Sequence, residues 1–307
     1  MDEAILDVVI IGGGPGGLSA ALVLGRSCRN VVIVDKGTPR NRVTLEAHGL
    51  LTRDGVKPQE LRQIARQQLK NYPNVTCFDE EVIQIEKHSK QYIVTTHLGR
   101  TFITRRVIVA TGMIDELPAI PGFREVYGLS VFPCPYCDGW ERRGEPLAVF
   151  GNEENVVPFT KLLYNWSNDL ILFTNGSAQF DPKFKQELAA HAIATVETPI
   201  AKLQSADGKL EKVITETGEA FSRTGGFILN TREKQAFDLP NQLGIQMNER
   251  GGYESDDHGL TSVEGLYVIG DAKNSFVGLA GAVGEGYEAG VVINHELAME
   301  DWVQEEL

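Results

Sequence analysis

Leu6-Asp7-Val8-Val9-Ile10-Ile11-Gly12-Gly13-Gly14-Pro15-Gly16-Gly17-Leu18-Ser19-Ala20-Ala21-Leu22-Val23-Leu24 decides the fold. The run Leu6 to Ile11, apolar except for Asp7, reads as a strand buried on both faces, as in parallel sheets. A glycine-rich turn containing Pro15 follows at once, and Leu18 to Leu24 reads as a helix. Val31 to Val34 is a second strand and ends at Asp35. Strand, glycine turn, helix, strand and acid in this order make a dinucleotide-binding βαβ unit. Gly12 permits the tight turn, Gly14 lets a pyrophosphate approach backbone N–H groups, and Gly17 lets the helix lie close to the sheet. The helix N-terminus then faces the phosphates. Asp35 can accept ribose hydroxyls, and an acid there does not suit a 2′-phosphate.

The chain returns to this pattern near its end. Leu266 to Ile269 reads as a strand, followed by Gly270-Asp271-Ala272 and a small-residue helix over about Gly281 to Leu297. Asp271 can bind ribityl or phosphate-side hydroxyls, and the first N–H groups of that helix can approach a flavin carbonyl. This second feature weighs against a glycine turn without a ligand. Between the two lie a helix from Pro58 to Leu69 and strands at Asn74–Phe78 and Glu81–Glu86. A hairpin of Gln91–His97 and Arg100–Ile103 follows, and a separate strand, Arg106–Ala110, runs into Thr111-Gly112. Pro118, Pro121 and Gly122 mark a boundary.

Beyond it, a second strand–helix–strand is expected from Leu147–Phe150, Phe159–Trp166 and Leu170–Phe173. A pair of hairpins turns at Asp207-Gly208 and Thr217-Gly218, and Phe227–Asn230 is a last strand. The expected fold is α/β, with two Rossmann-like, three-layer ββα nucleotide-binding domains, the second inserted in the first. Residues 1–117 and 244–307 would form a discontinuous FAD-binding domain. Residues 118–243 would form an inserted NAD(P)H-binding-like domain.

The inserted section opens with Cys134-Pro135-Tyr136-Cys137. A two-residue spacer lets both sulfurs meet in a disulfide, one cysteine attacking and the other resolving. A zinc site would need two more ligands, and no histidine stands in ligand spacing, so no metal is expected. Asp138 can shuttle the proton as thiol and thiolate interchange; its alternative role is a helix cap. Cys28 and Cys77 read as buried, inert thiols. His48, in the loop His48-Gly49, can hold a base near the dithiol; the alternative is a surface histidine.

The second nucleotide turn looks damaged. Gly151-Asn152-Glu153-Glu154-Asn155-Val156 follows the strand at 147–150, and a dinucleotide turn wants glycine at 153 and a small residue at 156. Glu153 and Glu154 place carboxylates where a pyrophosphate would arrive. No arginine cluster for a 2′-phosphate follows Thr174-Asn175-Gly176. An atypical loop that still binds NADPH is the competing view.

The formal net charge of −13 disfavours nucleic acid and anionic membrane as partners. No apolar run reaches the ~18 residues of a membrane span. Met1 to Ala4 lacks the basic start of a signal peptide. A cytoplasmic location is expected.

The glycine turn, Ala110-Thr111-Gly112, the CxxC with Asp138-Gly139, and Gly270-Asp271, in this order, resemble low-molecular-weight thioredoxin reductases across essentially the whole chain. The resemblance implies a homodimer, with FAD in the first domain and NADPH with the CxxC in the second. It makes Cys134 the thiol that exchanges with substrate, Cys137 the one facing the flavin, and Asp138 the proton-handling acid. Lys36, Arg40, Asn41, Val82 and Ala280 complete the candidate cofactor set. Asp35 to Asn41, His48 to Gly55, Cys134 to Glu141, Trp166 to Asp169 and Thr174 to Gly176 look like the branch related to the holomycin and gliotoxin dithiol oxidases. Those use FAD and CxxC without NADPH and pass electrons to oxygen; the branch is also close to ferredoxin-linked reductases. Val277-Gly278 replaces the Arg-Gln pair that ordinary members carry before the last helix. The expected partners are a small dithiol or disulfide, or a thioredoxin-like protein, with oxygen or a ferredoxin-like protein as electron partner. The alternative is an NADPH-dependent thioredoxin reductase.

Overall fold

The computed structural model describes residues 5–229, 231–238, 241 and 243–305. Met1 to Ala4 and Asn230, the expected end of a strand, lie outside them. The chain divides into two compact units. One comprises Met1–Arg42, Gly49–Ile114 and Glu233–Leu307; the other comprises Val43–His48 and Asp115–Arg232.

The first unit is built on β1 (Leu6–Ile11), with α1 (Pro15–Arg26) and β2 (Val31–Val34) following as read from the sequence. After α2 (Pro58–Leu69) come β3 (Val75–Phe78), β4 (Val82–His88), β5 (Gln91–Thr96) and β6 (Thr101–Val109). The sheet order is β3-β2-β1-β6-β5-β4, and the strand Leu266–Val268 also pairs with β6. β1 runs parallel to β2, with Val8 opposite Val31, and to β6, with Val8 opposite Arg106.

Side chains alternate across this sheet as the two-residue period requires. Val8, Ile10, Val31, Ile33 and Ile108 meet Leu18, Ala21 and Leu24 of α1, together with Ile293 and Leu297 of the C-terminal helix. Val9, Ile11, Val32, Val34, Val107 and Val109 fill the opposite face with Val82, Val94 and Tyr253.

β6 corrects the sequence reading, which split it into Arg100–Ile103 and Arg106–Ala110. It is one strand with two kinds of neighbour. Its first half pairs antiparallel with β5, Thr104 opposite Tyr92, and its second half pairs parallel with β1. Thr104 and Arg105, the gap between the two expected strands, lie within it. The Arg106 guanidinium is paired with Glu296 and Glu300. These acids lie on the C-terminal helix Gly278–Glu305, longer than the expected Gly281–Leu297. Its last turns are fastened by Arg29, Arg105 and Arg106.

The second unit has a parallel sheet ordered Ala194–Val196, Leu170–Phe173, Leu147–Phe150, Gly225–Ile228, Val131–Phe132. A three-stranded antiparallel sheet holds Ile200–Ala206, Lys209–Thr215 and Ala220–Ser222, the two expected hairpins. The helix expected over Phe159–Trp166 is Val156–Leu163 instead; Trp166 lies in the turn that follows. Pro158 sits in the first turn, where a missing N–H costs no hydrogen bond. The helix Pro182–Ala190, capped by the Asp181 carboxylate on the Lys183 N–H at 2.9 Å, and the strand Ala194–Val196 were not read from the sequence. No described helix is long and apolar enough to cross a membrane.

Candidate redox and dinucleotide sites

The glycine turn in the first unit has the close approaches that its reading requires. A Cβ on Gly17 would stand 2.1 Å from the Gly12 carbonyl oxygen, and one on Gly12, at φ +109°, would stand 2.4 Å from that of Ala110. Gly14, the residue before α1, has open space on its Cβ side. That is the cradle a pyrophosphate needs at a helix N-terminus. Thr111 Oγ1, two residues past the end of β6, is buried with no hydrogen-bond partner among the described residues. A buried hydroxyl left unpaired costs free energy, so this one fits a ligand that supplies the partner. Gly112 next to it has φ +67°.

Asp271 and Arg40 meet: Nη1 donates to Oδ2 at 2.9 Å and to the Ser275 carbonyl at 2.7 Å. The second oxygen of Asp271 accepts the Val277 N–H at 3.1 Å, which sets the entry to the C-terminal helix. The Gly270 N–H donates to Glu285 at 2.6 Å. Asn41 shares the short 3-10 turn Arg40–Val43, and Ala280 is exposed in the first turn of the last helix. Lys36 points to Glu81 at 3.2 Å. Val82 is 5% exposed, packs its side chain in the core and pairs with Thr96 of β5. Ala110 donates its N–H to Ile11 O. Arg62, Arg66 and Gly13 were missed in the sequence and stand against Asp35; two arginines four apart on one helix face were the available signal.

In the second unit Cys134 and Cys137 form a disulfide, with their Cα atoms 5.3 Å apart. They open a four-residue helical turn, Pro135–Asp138, in which the Cys137 N–H points at Cys134 Sγ at 3.1 Å. Cys134 is 7% exposed and Cys137 half-buried. Cys137 is thus the more exposed residue of the pair, the reverse of what an outer Cys134 alone would suggest.

Asp138 is partly buried beside them. Desolvation pushes its carboxyl up to about 7, with Glu141 adding to the rise and His48 and Arg142 opposing it. His48 arrives from the separate segment Val43–His48. Its Nε2 lies 3.7 Å from Glu141 and 3.8 Å from Glu46, and its side chain is only 17% exposed. The structure therefore brings His48, Asp138 and the cysteines into one unit, and His48 is no free surface residue. Asp138 lies at the end of its turn, so the cap that the sequence allowed is made by Cys134 instead.

Cys28 corrects the expectation of a buried thiol. It is exposed, because it occupies a φ +61° position just past the end of α1. Cys77 is half-buried, and burial raises its thiol pKa.

The second nucleotide turn differs from the first in its packing as well as its charge. Val156, at the position needing a small residue, is fully buried and lies 2.7 Å from where a Gly151 Cβ would be. Glu153 and Glu154 are exposed just ahead of the helix. The Asn152 side chain accepts the Gln179 N–H at 2.8 Å, tying the turn to the loop beyond the next strand.

The model of the pyridine nucleotide-disulphide oxidoreductase family matches residues 6–286. The thioredoxin reductase sirT of Leptosphaeria maculans is 31% identical over 95% of this chain and 94% of its own length. Among solved structures, a candidate thioredoxin reductase, TrxB of Bacillus anthracis, has a TM-score of 0.92 at 37% identity, covering 96% of this chain and 99% of that one. HlmI has a TM-score of 0.92 at 34% identity, covering 98% and 95%.

Proposed function

The chain belongs to the low-molecular-weight thioredoxin reductase family of pyridine nucleotide-disulphide oxidoreductases, which binds FAD, and we propose that it is a thiol-disulfide oxidoreductase that does not use NADPH efficiently. Its substrate is a small dithiol or disulfide, with oxygen or a ferredoxin-like protein as the other electron partner. The observation that carries this reading is the second turn, where two exposed carboxylates and a buried valine replace the features that receive a pyrophosphate. The resemblance of the CxxC segment Cys134 to Glu141 to the dithiol-oxidase branch supports it.

Gly12, Gly14, Gly17, Asp35, Thr111 and Asp271 are the residues that would hold FAD. When bound, FAD supplies a two-electron acceptor or donor. The protein's own steps concern sulfur and protons. In the oxidative direction a substrate thiolate attacks Cys134, the Cys134–Cys137 bond breaks, and Cys137 leaves as the thiolate. The second substrate thiol then attacks the mixed disulfide, releasing oxidised substrate and the Cys134 thiolate. Asp138 takes up or returns the accompanying proton. A carboxyl poised near neutrality suits that task, because both of its protonation states are populated at working pH. His48, held by Glu46 and Glu141, is the group through which that proton reaches solvent. The order of the two sulfurs follows the family pattern rather than their burial. A cytoplasmic homodimer is the proposed setting.

Anaerobic mixing with NADPH tests the reading. Slow or absent bleaching of the flavin is expected, with rapid bleaching by a dithiol. Reduction by NADPH at enzymic rates, about 1 to 1000 per second, would instead establish an NADPH-dependent reductase with an altered loop.

A further inference from the structure

Asp35, at the end of β2, is gripped mainly through one oxygen. Its Oδ2 accepts from Arg62 Nη2 at 2.5 Å and from Arg66 Nη2 at 3.4 Å. Among the described residues its Oδ1 accepts only the Gly37 N–H, at 3.2 Å, so acceptor capacity remains there. Arg62 also reaches the glycine turn, where Nε donates to the Gly13 carbonyl at 3.3 Å. A Cβ on Gly13 would fall 2.5 Å from Asp35 Oδ2, so only glycine lets the carboxylate rest against the turn. The side chains of Asp35 and Arg62 keep 9% and 17% of their exposure, which shields the contact from solvent screening. Arg66 stands behind, anchored to Asp79 at 2.7 Å.

We propose that Arg62 is the positioning residue of the adenosine end of the dinucleotide site. It fixes Asp35 so that Oδ1 is the oxygen offered to the ribose, and it pins the Gly13 carbonyl so that the neighbouring N–H groups keep their aim at the pyrophosphate. The planar guanidinium does both at once because its donors are spread across a rigid fork, which a lysine ammonium lacks. This role rests on the flavin reading given above. The competing explanation is an ion pair that only fastens α2 to β2.

The test uses the full chain stripped of flavin, with FAD as the probe. Affinity is measured by flavin fluorescence quenching for the parent, Arg62→Met and Arg62→Lys. The methionine variant is expected to bind FAD about tenfold more weakly or worse, with the lysine variant between it and the parent. The melting temperature of the flavin-free protein and the visible spectrum of the flavin that does bind should stay unchanged. Unchanged FAD affinity overturns the role. So does a loss matched by a lower flavin-free melting temperature and a shifted spectrum, the mark of a fastening pair. If the methionine variant does not fold, the lysine variant is judged by the same criteria. A parent protein that takes up no FAD overturns the flavin reading itself, and this role with it.

Discussion

Asp138→Asn separates the energetic cost of this carboxyl from its work with protons. Burial holds the folded-state pKa at about 7 against an ordinary 3.8. At 1.36 kcal/mol per pH unit, that difference is about 4 kcal/mol of folding free energy. The sign follows from which state holds the proton more tightly. The folded pKa is raised, so below about pH 4 both states are protonated and the carboxyl costs nothing. Between about pH 4 and pH 7 the unfolded chain loses its proton first, and stability falls as pH rises. Above that range the full penalty stands. The amide cannot ionise, so the variant should exceed the parent by about 1 kcal/mol near pH 4.5 and by about 4 kcal/mol at pH 8. Urea unfolding of the oxidised protein at fixed FAD concentration, followed by tryptophan emission at several pH values, measures the difference. Dithiol turnover should fall at the same time by about a hundredfold or more, the usual worth of a positioned proton donor. A stability offset that stays constant from pH 4.5 to pH 8 would refute the buried-carboxyl argument, whatever happens to turnover.

The remaining predictions address the sulfurs, the histidine, the damaged turn and the unpaired hydroxyl. Cys134→Ser should leave a Cys137 thiolate that gives a long-wavelength band with oxidised flavin, and Cys137→Ser should give none; the opposite pattern reverses the order of the two thiols. His48→Ala should lower turnover and displace the pH–rate profile with circular dichroism unchanged; an unchanged profile removes His48 from the proton path. Glu153→Gly combined with Glu154→Ala should speed anaerobic flavin reduction by NADPH about tenfold or more if charge repulsion is worth about 1.4 kcal/mol there; no gain moves the obstruction to Val156. Thr111→Val should weaken FAD binding several-fold, as loss of one hydrogen bond worth about 1 kcal/mol implies; unchanged affinity means that Oγ1 does not meet the ligand.

The parts of this chain that sequence reveals are those in which one residue type has one physical use. Val8 to Ile11 must be buried on both faces, and the alternation of those side chains between two core layers follows from that. Gly12 and Gly17 leave no room for a Cβ, so the turn and the helix after it could be placed closely. The reading fails where a local signal is overruled by distant partners. Thr104 and Arg105 look like a break, yet β6 runs through them because β5 claims one half, β1 the other, and Glu300 and Asp301 on the last helix pair with the arginine. Cys28 looks apolar and buried, but the end of α1 turns it out. Arg62 and Arg66 look like the solvated face of a helix until Asp35 is placed against them, and His48 looks like a loop residue until its segment is seen to belong to the unit that holds the cysteines.

The two glycine-led turns show how far sequence could go with the missing nucleotide site. Both follow a buried parallel strand and lead into a helix. At residue 17 any side chain would strike the backbone of the first turn. At residue 156, the matching place in the second, a whole valine is buried instead. The second helix therefore presents a side chain to its turn where the first presents none. Sequence exposed the carboxylates of Glu153 and Glu154 and the missing small residue at 156; that the Val156 side chain is buried against Gly151 is what the structure adds. The two obstructions are independent, one acting through charge and one through space. Removing the carboxylates alone should then restore NADPH reactivity only in part, and adding Val156→Ala should increase it further. If the valine change adds nothing once the acids are gone, the steric half of the argument fails and repulsion alone accounts for the lost site.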